Sequence, residues 1–182
     1  MKSPILPVLL CALLTSAVCS TALADFEKGI AAYEANDLPV AYKEFRASAE
    51  EGHADSQFNV ALMYEKGIGV AKDEKEAVAW YTKSAEQGNS AAQFNLGVLY
   101  ETGQGVSVDR ITAYMWYGRA ALAGDRDAER RRDQLRLKLD SASITKGEKL
   151  ISEWRPHPSD SIANEARTAG DAWKRREAKA SE

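Results

Sequence analysis

Cysteine is scarce in this sequence: Cys11 and Cys19 are the only two in 182 residues. Both lie in residues 1–24, which read as a secretory signal peptide: Lys2, an apolar run from Ile5 to Leu14, and the small-residue end Ala22-Leu23-Ala24 before Asp25. The run is too short to span a bilayer and an A-x-A site follows it, so cleavage is expected after Ala24. Ser16-Ala17-Val18 ahead of Cys19 lacks the leucine and the adjacent small residue of a lipid-attachment box. The 158 residues left after cleavage hold no cysteine, which excludes disulfides and thiol chemistry even in a compartment that permits both. Histidine is equally scarce, with only His53 and His157. Two histidines without cysteine give no recognisable zinc or haem site, so neither metal nor cofactor is expected. Charge of one sign is lacking as well. Losing Lys2 moves the formal charge only from −3 to −4, which argues against nucleic acid as the main partner. No second apolar run is long enough for a membrane span, so no stable insertion is expected after cleavage, and the product belongs in a periplasm or outside the cell.

What the sequence does have is one design written twice. Residues 53–88 and 89–124 align without a gap, and fourteen of the 36 positions are identical. The pairs include Gln57-Phe58-Asn59 with Gln93-Phe94-Asn95, Gly67 and Gly69 with Gly103 and Gly105, Trp80-Tyr81 with Trp116-Tyr117, and Gly88 with Gly124. A period of this length marks a supersecondary unit that stacks on its own copy. Apolar spacing of three and four predicts a first helix over 54–66 and 90–102 and a second over 74–87 and 110–123. The two-glycine joints reverse the chain between them. Asp73 is placed as an N-cap with Glu76 completing a capping box, and Asp109 caps its copy. Gly97 stands where the first repeat has Ala61. A glycine inside a helix costs roughly 1 kcal/mol relative to alanine, so close approach of a neighbouring helix is the expected compensation. Trp80 and Trp116 recur with the structural glycines and alanines, which favours packing between repeats over surface anchoring.

The flanks extend the pattern. Residues 26–52 read as a shortened first repeat whose second helix keeps the 36-residue register, while Tyr33 lies 31 residues before Tyr64. Residues 125–154 read as a capping unit: a charged helix in which arginines alternate with Asp127, Glu129 and Asp133, then a last helix beginning near Thr145 with Glu148 at capping-box spacing. Pro156 and Pro158 end it. The expected division is therefore a signal peptide 1–24, a repeat domain 25–154, and a charged, alanine-rich tail 155–182 that forms a loose helix or stays disordered.

The pattern Gln-Phe-Asn-Leu-Gly-x-x-Tyr-x-x-Gly-x-Gly-Val-x-x-Asp-x-x-x-Ala-x-x-Trp-Tyr-x-x-Ala-Ala-x-x-Gly at residues 93–124 resembles the Sel1-like repeats, relatives of the tetratricopeptide repeats. Residues 57–88 match it strongly, with Ala61 in place of the usual glycine, and residues 26–52 match in part. The resemblance implies an all-α fold, an α/α solenoid of helical hairpins. It also implies an adaptor or regulator that holds protein partners; some relatives take part in polysaccharide assembly or signalling. A cysteine-rich secreted branch is described as β-lactamase-like, but this chain lacks that branch's cysteines and has no Ser-x-x-Lys paired with Lys-Thr-Gly.

No catalytic residues emerge. His53-Ala54-Asp55-Ser56 holds three residue types of a triad, but neighbours on one short stretch cannot converge as a triad does, and capping by Asp55 or Ser56 explains them. The expectation is thus a non-enzymatic scaffold or regulator of the bacterial cell envelope that binds a protein or peptide along its first helices. The alternative is a structural or assembly role through self-association or envelope polysaccharide assembly, with a β-lactamase-like enzyme a distant third. Asn59 and Asn95, 36 residues apart, are the candidate partner-binding pair, since an asparagine can meet both the N–H and the C=O of a bound peptide. They equally can hydrogen-bond backbone at the repeat junction. Met63 and Leu99 are expected to add apolar contacts in the same groove.

Overall fold

The computed structural model describes residues 21–156. Residues 1–20 of the expected signal peptide, and residues 157–182 of the expected tail with His157, lie outside the described residues. Within them the chain forms eight helices and no strand: α1 (21–34), α2 (Leu38–Glu50), α3 (Ala54–Lys66), α4 (Glu74–Glu86), α5 (Ser90–Thr102), α6 (Arg110–Leu122), α7 (Arg126–Arg136) and α8 (Ser141–Glu153). Helices α3 with α4 and α5 with α6 are the two full hairpins, α2 packs on α3, α4 on α5, α6 on α7, and α8 lies across α6.

The hairpins repeat down to their caps. Asp73 and Asp109 each accept two backbone N–H bonds from the first turn of the second helix, at 2.9–3.1 Å. The expected capping box is only half made, because the Asp73 N–H bonds the Tyr64 carbonyl at 3.0 Å, leaving nothing for Glu76 to accept. Gly67 and Gly103 close the first helices in the left-handed region, at φ 69° and 79°. Beyond them Gly105 lies against the start of α4. A Cβ there would overlap the Glu74 carbonyl oxygen, and Gly69 meets Leu38 in the same way one repeat earlier. These glycines seat each loop on the preceding repeat.

The core is small residues alternating with aromatics. Ala41, Ala61, Ala77, Ala85, Ala92 and Leu96 are fully buried, with Phe45, Trp80, Tyr81, Trp116 and Tyr117 between them. The close approach expected at Gly97 is made by the Tyr117 ring, whose Cδ1 would lie 2.5 Å from an added Cβ. Phe94 packs on Tyr117 with ring centroids 5.7 Å apart, Phe58 on Tyr81 at 5.7 Å, and Phe26 on Phe45 at 5.9 Å. This series sets the register of α1. Phe26 answers Phe58 at a spacing of 32, not the 31 expected from Tyr33 and Tyr64, and Gly29 lies under Phe45 as Gly97 lies under Tyr117.

Helix α8 begins four residues earlier than the Thr145 start expected. Asp140 accepts the Ser143 N–H at 2.7 Å, which makes it the cap, while Thr145 Oγ1 donates back to the Ser141 carbonyl at 2.9 Å as threonines do inside helices.

Candidate functional site

The exposed side of the first helices carries the same columns in each repeat. Asn59 and Asn95 occupy one of them, both half-buried, with Arg131 of α7 at the same step. Their surroundings differ because of one hydroxyl. Tyr81 of α4 donates to Glu65 at 2.7 Å, and the Asn95 side chain of the next repeat lies beside that hydroxyl. Tyr117 donates to Glu101 at 2.9 Å, and Glu101 is flanked by Arg131 at 3.8 Å and Lys138 at 3.9 Å. Burial first, then the bond to a carboxylate, pushes both phenols above their ordinary range. In the first unit the corresponding ring is Phe45, which has no hydroxyl. The Asn59 side chain consequently has no hydrogen-bond partner among the described residues.

The apolar contacts fall elsewhere than expected. Met63 and Leu99 are 2% and 3% exposed and belong to the core, so they cannot meet a partner. One position earlier, Leu62 and Val98 are half-exposed beside Asn59 and Asn95 on the helix surface. The error is one of phase: a full turn is 3.6 residues, so Met63 and Leu99, four residues on from Asn59 and Asn95, swing past the exposed face into the hairpin. The recurring Trp80 and Trp116 are 4% and 6% exposed and pack between helices. Trp80 lies beneath Lys83 and Arg46, and Arg119 lies between Trp116 and Trp154. Burial lowers the Arg119 pKa to about 10 against the opposing charge of Glu86. Tyr64, bonded to Tyr42 at 2.7 Å, is pushed up to about 12, chiefly by burial. Gly88 and Gly124 follow the second helices at the repeat boundaries.

His53 is the residue the sequence misplaced. It is itself the N-cap of α3, accepting the Ser56 N–H on Nδ1 at 3.2 Å, in the role expected of Asp55 or Ser56. Asn89 does the same for α5 through Ala92 N–H at 2.9 Å, and donates to Asp55 at 2.8 Å. The signal was available, since His53 and Asn89 are aligned and asparagine is a strong capping residue. The ring is buried against Phe26, 4.6 Å away, and its Nδ1 also lies 2.9 Å from Ser56 Oγ. Burial lowers its pKa from 6.5, opposed by Asp55. Ser56 is fully buried and His53 is 8% exposed. No group of three His, Cys, Asp or Glu residues among those described is placed to hold a metal, and no described helix is long and apolar enough to cross a membrane.

Stacked antiparallel helical hairpins with aligned surface columns define an α/α repeat solenoid. The Sel1 repeat pattern matches residues 54–89 and 90–125, so the chain carries two Sel1 repeats. The crystal structure of c5321, a protective antigen of uropathogenic Escherichia coli strains displaying an SLR fold, is similar over 80% of the chain at 28% identity and a TM-score of 0.70. A Sel1 repeat protein from Oxalobacter formigenes is 42% identical over 50% of the chain, with a TM-score of 0.49. The chain spans about a third of the length of each, 32% and 37%. No curated protein matches it. Sel1-like repeats generally mediate protein–protein interaction, their fold is typically a non-catalytic scaffold, and proteins that carry them are often secreted or periplasmic.

Proposed function

We propose that the protein is an exported interaction scaffold of the bacterial envelope, one that holds an extended peptide or protein segment along the groove formed by α3, α5 and their neighbours. The observation that carries this reading is Asn59. A half-buried primary amide with two donors and one acceptor, bonded to no protein group among the described residues, stands in a column where Asn95 lies beside Tyr81 and Arg131 faces Glu101. A peptide backbone satisfies such an amide in both directions. Leu62 and Val98 offer apolar contact alongside it. Asn95 braces the repeats, so the earlier pairing of Asn59 with Asn95 divides into a binding residue and a positioning one.

The test separates the two. Crosslinked capture from the secretory compartment, read by mass spectrometry, is compared for the native protein, Asn59→Ala and Asn95→Ala. Asn59→Ala is expected to lose the captured partner with an unchanged melting temperature, whereas Asn95→Ala lowers the melting temperature by loosening Tyr81. Identical capture by Asn59→Ala and the native chain sinks the reading.

A further inference from the structure

We propose that Arg119 is a docking point for an acidic side chain of a partner protein, on the second helices and apart from the Asn59 groove. Its stacked neighbours show what it lacks. Arg46 covers the Trp80 ring at 4.9 Å and has its counter-charge: Nε donates to Glu50 at 2.7 Å, and Nη1 to the Tyr42 and Tyr64 hydroxyls at 3.2 and 3.3 Å. Lys83 lies on the same ring at 3.7 Å and is exposed to water. Arg119 repeats Lys83 one unit later, over Trp116 at 4.7 Å, and has neither carboxylate nor full hydration. The difference comes from α8. Trp154 covers Arg119 at 5.2 Å and the Leu150 carbonyl accepts from its Nη2 at 3.3 Å, so the cation is half-buried.

The sequence leaves that cation without an internal counter-ion. Glu50 stands four residues after Arg46, but Ala123 stands four after Arg119. Glu86 repeats Glu50 and lowers the cost of the charge from a distance, yet it is exposed and makes no ion pair with Arg119 among the described residues. The Arg119 Nε is buried without an acceptor. A charge withdrawn from water is costly unless it is paired. With Nε buried and one Nη2 proton on Leu150, the outer edge of the guanidinium remains, and a carboxylate takes that edge with two parallel bonds. The indoles already hold the fork in place, so little side-chain freedom is lost on binding. Leu122, about one turn further along α6 and 71% exposed, offers an apolar contact beside it. A partner segment with an acidic residue next to an aliphatic one matches both.

The experiment follows the arginine Nε–H signals of the full chain by nitrogen NMR during titration with acetyl-Leu-Glu-Leu-amide. Acetyl-Leu-Gln-Leu-amide is the uncharged control, and acetyl-Leu-Gly-Leu with a free carboxyl end is the other source of carboxylate. The Arg119 signal, assigned by its loss in Arg119→Lys, is expected to saturate with the Glu peptide at a concentration about tenfold below that which moves the exposed Arg110 and Arg126, and to ignore the Gln peptide. Arg119→Lys keeps the charge but loses the fork, and should bind the Glu peptide about tenfold more weakly at an unchanged melting temperature. If that variant does not fold, the native titration decides alone. Glu86→Gln, which removes the rival carboxylate, should tighten binding. A response at Arg119 no stronger than at Arg110 and Arg126, or equal with the Gln peptide, overturns the proposal. So does a response to the free carboxyl end alone, which assigns the site to a chain terminus. An Arg119 signal that no peptide moves but that Glu86→Gln shifts makes Glu86 the counter-ion and overturns it as well.

Discussion

Ala123 stands where the preceding repeat has Gln87, and the missing amide leaves a buried oxygen without a donor. In the first full hairpin Gln57 Nε2 donates to the Ala49 carbonyl at 3.1 Å while its Oε1 receives Gln87 Nε2 at 2.6 Å. In the second, Gln93 donates to Ala85 at 2.9 Å, but its Oε1 is buried and unpaired. Gln87 and Ala123 share the same backbone conformation, φ −81° and ψ 2°, so Ala123→Gln fits without strain. It is expected to add about 1 kcal/mol, a rise of roughly 3–6 °C in melting temperature. An unchanged or lower value in a thermal scan means that water already serves Gln93. His53 gives the second residue-scale prediction. Burial holds its folded pKa below 6.5, so the unfolded chain takes up the proton first. Stability is complete above about pH 6.5 and falls as the pH drops below that value toward the folded pKa. His53→Asn copies Asn89 and keeps the cap, so urea unfolding at pH 7.5 and 5.5 should show a loss for the native chain and little difference for the variant.

Among the elements, α3 and α5 are legible in the sequence to the residue, and α4 and α6 end one residue before the expected bound. Their limits are set by local chemistry that a sequence displays: an aspartate before a first turn, a glycine after a last one. What escaped was chemistry in competition. At α8 two capping candidates stand five residues apart, and the one that wins frees Ala142 and Ile144 to join the helix. The register of α1 escaped for a different reason, since aligning tyrosines says nothing of which ring packs on which. The α8 assignment makes a direct prediction. Asp140→Ala should cost about 1 kcal/mol by loss of the cap, and Thr145→Ala almost nothing, as judged by chemical denaturation. The Asp140 carboxyl is held below its ordinary range chiefly by the Ser143 N–H, so its contribution disappears when acid protonates it. Comparable losses in both variants would return the helix start to Thr145.

At the scale of the whole molecule the question is how a stack of like units stops. Each hairpin buries one face on the next, so the last must be covered by something unlike a repeat. Helix α7 still follows the columns, with its aromatics replaced by charge. Helix α8 departs from them and lies across α6 through two close approaches, Ile151 over Gly118 and Tyr114 over Gly147. Its end brings Trp154 over Arg119, whose Nη2 donates to the Leu150 carbonyl at 3.3 Å. Leu150 and Ile151, both half-buried, supply on the order of 3 kcal/mol of apolar burial between them. A chain ending at Leu139 loses all of this and bares Tyr114, Met115 and Gly118 on α6. It should melt at a lower temperature and, at micromolar concentration, form dimers or larger species in light scattering where the full chain stays monomeric. If the full chain is already dimeric, α8 does not close the stack, and self-association takes precedence over peptide binding as the use of this fold.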